Sequence, residues 1–194
     1  FCRSIQPNEN PIFIAVEPQS EAAFNGCFLV VKQHCERNGG RPIYGWAIWV
    51  WSHVWIKAEH HAVWETPDGT LVDITPKANR SQRIVFLPDP ERVYDFEMNR
   101  RIDNIRKALR GDSDIKDLFA AEKHIFEYEE ANTIKGSLRI GGDLQEYYSF
   151  RRDKDLIFTK LIKKYLRSSA PCFCGSGVRF RECHQQQIKN LQIT

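Results

Sequence analysis

Residues 61–73 read His-Ala-Val-Trp-Glu-Thr-Pro-Asp-Gly-Thr-Leu-Val-Asp, and Ile-Thr-Pro follows. The stretch predicts two strands of alternating character joined by Thr-Pro-Asp-Gly at 66–69. Proline presets the first central position of a type I turn, aspartate suits the second, and glycine accepts the left-handed conformation of a G1 bulge. Such a turn pairs Thr66 with Thr70, and counting outward pairs Val63 with Asp73.

This register makes His61 and Asp73 diagonal neighbours on one face of the strand pair. Their backbones are then roughly 7–8 Å apart, which is within reach of the two side chains. A plain two-residue turn would place them on opposite faces, so the prediction depends on the bulge. A carboxylate beside an imidazole orients the ring and stabilises its charged form. The pair therefore predicts the acid–base half of a catalytic site.

Cys27 is the candidate nucleophile. It lies in the segment Phe-Asn-Gly-Cys-Phe at 24–28, where Asn25 can cap a helix that runs to Gly39 and Gly40. A cysteine in the first turn of a helix is exposed to the helix dipole and to unpaired amides, which favour the thiolate. Together with a histidine base and a carboxylate, it predicts a nucleophile–base–orienter triad.

The order of Cys27, the His-Ala-Val-Trp strand and the Leu-Val-Asp-Ile-Thr-Pro strand resembles the core of transglutaminase-like cysteine enzymes, a branch of the papain-like fold. The resemblance covers about residues 20–76. It implies an α+β core in which the helix bearing the cysteine packs on an antiparallel sheet, with Cys27, His61 and Asp73 as the catalytic residues. Asn25 is the candidate oxyanion donor, with Gln19 as the alternative.

Length and composition limit the class of protein to which the chain can belong. The chain has 194 residues, a net charge of +3 and no apolar run long enough to span a membrane. We find no signal-peptide architecture at the N-terminus, and three of the six cysteines crowd into residues 172–183 rather than forming a disulfide framework. These features predict a soluble protein without a membrane partner in the reducing cytoplasm.

The charge is unevenly distributed along the chain. Residues 1–98 carry 9 basic and 12 acidic side chains, a net of −3, whereas residues 99–194 carry 19 and 13, a net of +6. Such asymmetry can mark a nucleic-acid or ribosomal surface. We favour solvated faces of lysine- and arginine-rich helices, so a nucleic-acid partner is an open but less favoured alternative.

Three regions are expected. Residues 1–98 would form the transglutaminase-like α+β core, in which residues 12–16 read as a short strand. Residues 99–167 would form a helical region, with helical periodicity over 99–110, 113–130 and 145–167. Residues 168–194 would form a small zinc-binding module.

The last region carries a metal-site pattern. The run Pro-Cys-Phe-Cys-Gly-Ser-Gly begins at Pro171, and eight residues separate its second cysteine from a Cys-His pair. The four candidate ligands are Cys172, Cys174, Cys183 and His184. Zinc prefers thiolate and imidazole ligands, and four protein ligands with no open position are typical of a structural site.

This segment closely resembles the SEC-C zinc motif, including the Gly-Ser-Gly bend and the basic and aromatic residues before the last pair. The resemblance implies one structural Zn²⁺ and a module that contacts proteins or ribosomes. About twenty residues cannot build a core of their own, so bound metal must supply much of the folding free energy.

Two functions follow from these patterns. The first is a cysteine-dependent amide hydrolase, a protease, peptidase or deamidase that acts on a protein or peptide through a thioester, with the zinc module as a docking element. Transfer of the acyl group to an amine is a variant of the same chemistry. The second is a non-enzymatic zinc-dependent adaptor that binds protein, ribosome or nucleic acid.

Overall fold

The computed structural model describes residues 1–19, 22, 26–77, 81–133, 141–172 and 177–190. The helices in these ranges are α1 (Cys2–Ile5), α2 (Cys27–Asn38), α3 (Ser113–Asn132), α4 (Leu144–Tyr165) and α5 (Gln185–Asn190), together with a 3-10 turn at Phe180–Glu182. The strands are β1 (Ile12–Val16), β2 (Arg41–Trp51), β3 (Trp55–Glu65), β4 (Leu71–Asp73), β5 (Arg83–Pro88) and β6 (Ile105–Ala108). No helix in the described part of the chain is both long enough and apolar enough to cross a membrane.

The chain divides into two compact units. The first comprises Phe1–Val50, Ile56–Phe96 and Arg100–Lys107. The second comprises Trp51–Trp55, Glu97–Asn99 and the described residues from Ala108 onward. The architecture is therefore mixed α+β, with a sheet in the first unit and paired helices in the second.

The sheet has the strand order β2-β5-β1-β4-β3-β6, and an additional pairing of β2 with β3 closes it into a barrel. The expectation of an antiparallel sheet is wrong for one pair, because β1 runs parallel to β4 with Ala15 opposite Val72. A parallel pair needs a long crossover between its strands. Here α2 and the β2–β3 hairpin supply that crossover. The pairs of β1 with β5, β2 with β5 and β3 with β4 are antiparallel.

Helix α2 packs on the sheet through one face. Val31 is fully buried and belongs to an apolar cluster with Ala62 of β3, Val72 of β4 and Ile74, which directly follows β4. Val63, the next residue along β3, belongs to a separate cluster with residues of β1, β2 and β5. Successive residues of a strand point to opposite faces, which explains this division. The helix that begins at Cys27 is thus held against the two strands that carry His61 and Asp73.

The stretch 99–110 differs from its expected helical state, since Ile105–Ala108 forms β6 beside β3. Pairing with an available sheet edge satisfies backbone groups of this stretch and overrides its weak local preference for a helix. The two longer helices were predicted correctly. Asp112 caps α3 by accepting a hydrogen bond from the backbone N–H of Asp114, and Asp143 caps α4 in the same way.

The second unit has its own core. Helices α3 and α4 contribute Ile115, Leu118, Leu161 and Ile162, all fully buried or nearly so. Cys172 and Phe180 belong to the same cluster and are each 4% exposed. The C-terminal segment that bears the candidate metal ligands is therefore anchored in this helical core rather than held apart from it.

Candidate active site and metal centre

The turn between β3 and β4 sets the register of the candidate active site. Gly69 has φ +86°, and its backbone N–H donates to the carbonyl of Thr66 at 2.9 Å. The N–H of Thr66 in turn donates to the carbonyl of Thr70 at 2.9 Å. Farther along, Glu65 lies opposite Leu71, which is the register predicted from the bulge. His61 and Asp73 are consequently brought to one side of the strand pair.

The imidazole of His61 and the carboxylate of Asp73 form a buried hydrogen-bonded pair. His61 Nε2 lies 2.9 Å from Asp73 Oδ2, and the two residues are 5% and 0% exposed. The other carboxylate oxygen, Oδ1, accepts the hydroxyl of Thr75 at 2.5 Å and its backbone N–H at 3.0 Å. Bonds on both oxygens fix the plane of the carboxylate, and the carboxylate fixes the ring of His61.

Cys27 completes the set of three predicted side chains. It is the first residue of α2, is buried, and lies close enough to His61 to raise the pKa of the imidazole. Gly26 holds the N-cap position without a side-chain hydrogen bond. The expected cap and oxyanion donor, Asn25, lies outside the described residues. Gln19 is described, and its backbone N–H donates to the carbonyl of Ile74 at 3.0 Å.

The electrostatics of the site favour a charged imidazole beside a charged carboxylate. Burial by itself would lower the pKa of His61, but the charge of Cys27 and hydrogen bonds with Asp73 and Cys27 raise it to about 9. Burial would raise the pKa of Asp73, yet hydrogen bonding to His61 and the positive charges of His61 and Lys77 hold it well below its usual range. The arrangement can therefore hold a proton on the imidazole, between the carboxylate of Asp73 and the thiol of Cys27.

Lys77 is a member of this site that the sequence did not indicate. Its Nζ lies 2.6 Å from Asp73 Oδ2, 3.1 Å from His61 Nε2 and 3.1 Å from Thr75 Oγ1, and its side chain is only 10% exposed. Lys77 follows β4 in a segment without regular structure. Strand periodicity therefore could not indicate where its side chain points. Its only sequence signal is its position four residues after Asp73.

His60, the neighbour of His61 on β3, has a packing role. Its ring lies 4.8 Å from that of Phe28 and 5.5 Å from that of Trp46, between centroids. Its Nε2 lies 2.7 Å from the carbonyl oxygen of Arg92. Burial lowers the pKa of His60, so this ring is the neutral one of the adjacent pair.

The second candidate site is a cluster of sulfur and nitrogen donors near the C-terminus. His184 Nδ1 lies 3.3 Å from Cys172 Sγ and 3.1 Å from Cys183 Sγ, and the three donor atoms lie within 4.8 Å of one another. Two thiols and one imidazole converging on a common point suit a metal such as zinc. Cys174, the fourth predicted ligand, lies outside the described residues.

The backbone around the cluster explains how distant residues converge. Pro171 forms an isolated antiparallel bridge with Arg179, and the N–H of Cys172 donates to the carbonyl of Val178 at 2.8 Å. Gly177, with φ +76°, lies just before the returning strand segment. The 3-10 turn that follows then delivers Cys183 and His184 to the side of Cys172.

The comparisons with known proteins bear on this segment. The family model described as SEC-C motif matches residues 169–186. That range contains Cys172, Cys183 and His184, so the match and the donor geometry support each other. No curated protein and no solved structure matches the chain.

Proposed function

We propose that this protein is a cysteine-dependent amide hydrolase of the transglutaminase-like class, acting on a protein or peptide through Cys27, His61 and Asp73. The observation that carries the proposal is the buried hydrogen bond between the His61 ring and the Asp73 carboxylate at 2.9 Å, with the buried thiol of Cys27 close enough to influence the pKa of that ring. Each of these residues alone has ordinary structural explanations. A buried thiol close to a base that a carboxylate orients is the arrangement that nucleophilic catalysis requires.

The chemistry follows from the three side chains. The thiolate of Cys27 attacks the amide carbonyl carbon and forms a tetrahedral intermediate. His61 then donates its proton to the departing nitrogen as the C–N bond breaks, which leaves a thioester on Cys27. His61 next takes a proton from water, and the resulting hydroxide attacks the thioester to release the carboxylic acid product and the thiol. Asp73 engages Nε2 of the ring, which leaves Nδ1 as the nitrogen that would exchange the proton in each step.

The packing of the first unit supports a papain-like arrangement. The helix that begins with the nucleophile lies against the strands that carry the base and the orienter, and Val31, Ala62 and Val72 bury the contact. Most strand pairs are antiparallel, as such a core would have. We favour hydrolysis over transfer to an amine because water is always available as the acceptor.

We further propose that Cys172, Cys174, Cys183 and His184 hold one structural Zn²⁺. When bound, the ion would cross-link the C-terminal segment and neutralise its thiolates, and four protein ligands would leave it no position for substrate. The module would serve to dock the enzyme on a protein or ribosomal partner.

The decisive experiment is alkylation of Cys27 by limiting iodoacetamide from about pH 5 to about pH 9. We would compare the wild type with His61→Ala and read each cysteine separately by mass spectrometry. Cys35 is the internal control, because it lies in the same helix and burial raises its thiol pKa. Fast alkylation of Cys27 at about pH 6, lost in His61→Ala, is the expected result and would justify a screen of amide substrates.

The contrary result is equally clear. If Cys27 reacts no faster than Cys35 and is indifferent to the loss of His61, the triad proposal fails. The remaining candidate would then be the zinc-dependent adaptor, for which the SEC-C match at residues 169–186 is the supporting observation.

A further inference from the structure

Lys77 is the third charged group of the His61–Asp73 pair. Its ammonium contacts Asp73 Oδ2 at 2.6 Å, closer than His61 Nε2 does at 2.9 Å. It also lies 3.1 Å from Thr75 Oγ1, whose hydroxyl donates to the other oxygen of the same carboxylate. With a side chain 10% exposed, this lysine is a built part of the site rather than a surface cation.

The carboxylate of Asp73 has a hydrogen-bond donor at each of its acceptor positions. Asp73 Oδ1 accepts the N–H and the O–H of Thr75, and Oδ2 accepts Lys77 Nζ and the Nε2–H of His61. An ionised carboxylate offers about four acceptor positions, so all of them are used. Because Nε2 donates its proton to Asp73, it cannot also accept one from Lys77. The 3.1 Å between Nζ and Nε2 is therefore a close approach of two groups that both carry positive hydrogens.

We propose, on the basis of the proposed function, that Lys77 is a positioning residue of the triad that also weakens the hold of His61 on its proton. By donating to Asp73 and Thr75 it fixes the carboxylate in the place where it meets Nε2. Its charge, 3.1 Å from Nε2, opposes the charge of the imidazolium. The consequence is a histidine that gives up its proton to a leaving nitrogen more readily than the Cys27–Asp73 environment alone would allow.

The charges around His61 explain why Lys77 would weaken the binding of its proton. Among the described residues, the titratable groups that act on His61 are Cys27 from α2, Asp73 from β4, Lys77 beyond β4, and His60, whose ring lies on the other face of β3. Without Lys77, the influences of Cys27 and of the Asp73 carboxylate, which both raise the pKa of His61, would be unopposed by this nearby positive charge. A base that binds its proton too tightly is a poor acid in the next step, since catalysis favours a pKa near the working pH.

The test is the titration of the His61 ring followed by NMR of histidine-labelled protein, with the resonance assigned by its absence in His61→Gln. Lys77→Met keeps a side chain of similar length without the charge, and Lys77→Arg keeps the charge. We expect the His61 midpoint to rise by about one pH unit or more in Lys77→Met. The midpoint in Lys77→Arg should stay close to that of the wild type. A midpoint that is unchanged or lower in Lys77→Met overturns the proposal.

Folding of each variant would be checked by circular dichroism, and Lys77→Gln replaces Lys77→Met if the latter does not fold. A second measurement needs no substitution: the ¹⁵Nζ resonance of Lys77 in the wild type should shift with the midpoint of His61. An ¹⁵Nζ resonance that does not respond also overturns the proposal. These readouts are separate from Cys27 alkylation. A positive titration result with an unreactive Cys27 would refute the enzyme while leaving the electrostatic effect of Lys77 established.

Discussion

His61 Nε2 lies 2.9 Å from Asp73 Oδ2 across two antiparallel strands, and neither side chain is more than 6% exposed. Little water can reach the pair, so solvent screens the electrostatic attraction between the carboxylate and the imidazole only weakly. Cys27, the Asp73 carboxylate and the Lys77 ammonium all act on the same ring.

Asp73→Asn tests the carboxylate directly. The substitution keeps the size of the side chain and removes the charge that stabilises the imidazolium. We expect the alkylation rate of Cys27 at about pH 6 to fall roughly 10- to 100-fold, because fewer molecules then hold the thiolate–imidazolium pair. Glu36→Gln is the matched control, since it removes a carboxylate from an exposed position on the same helix as Cys27. Equal rates in Asp73→Asn and the control would contradict the assigned role.

The stability of the protein should depend on pH through His61. Its folded pKa of about 9 lies above the ordinary value of 6.5, so the group stabilises the fold fully below about pH 6.5. This contribution is lost as the pH rises through about 9. The shift corresponds to an energy on the order of 3 kcal/mol.

The measurement is urea unfolding of wild type and His61→Gln at several pH values between about 6 and 10. The difference in free energy of unfolding between the two proteins should shrink over this interval. Taking the difference removes contributions that both proteins share, including those of the metal site. A difference that stays constant across the interval would show that His61 does not carry the pH dependence.

Metal should be bound at one equivalent per chain and should stabilise the second unit. Cys183→Ser and His184→Ala each remove a donor within 4.8 Å of the others, and we expect both to lose the metal measured by mass spectrometry. Because Cys172 and Phe180 belong to the core of that unit, the melting temperature should fall by roughly 5 °C or more. Cys35→Ser should keep its metal. Retention of metal by Cys183→Ser and His184→Ala would refute the site.

Gly40 is predicted to be irreplaceable. Its φ is +75°, and a Cβ there would lie 2.1 Å from the carbonyl oxygen of Glu65 and 2.6 Å from Trp64 Nε1. Gly40→Ala should therefore cost about 3 kcal/mol or more in the free energy of unfolding, from backbone strain and overlap together.

Gly69→Ala is the matched control for Gly40→Ala. This position has φ +86° but no atom within 4 Å of an added Cβ, so only the conformational penalty of about 1–2 kcal/mol should appear. Urea unfolding of the two variants separates the contributions. Equal losses would mean that the contact with Glu65 yields without cost.

The hairpin that carries His61 and Asp73 could be predicted because local chemistry dictates it. Pro67 and Gly69 each allow few backbone conformations, and together they select one turn and hence one register. The same holds for the end of α2, where Gly39 with φ +74° stops the helix, whereas its N-cap is Gly26 and not the expected Asn25. These features need no information from distant parts of the chain.

The features that escaped prediction depend on distant partners. β6 at Ile105–Ala108 forms beside β3, and the parallel alignment of β1 with β4 depends on the whole intervening path. Lys77 lies in an irregular segment, where spacing carries no information on side-chain direction. Long-range pairing overrides weak local preference in the two strand cases.

The separation of residues along the chain has a consequence for the order of assembly. His61 and Asp73 are 12 positions apart on one hairpin, a structure that closes within roughly 1–10 μs in isolation. Cys27 precedes His61 by 34 positions and reaches it only when α2 docks on β3 and β4. Contacts of high sequence separation form later because their loop entropy must be overcome first. We expect the growing chain to carry an unremarkable thiol that becomes reactive only once the tertiary fold is complete.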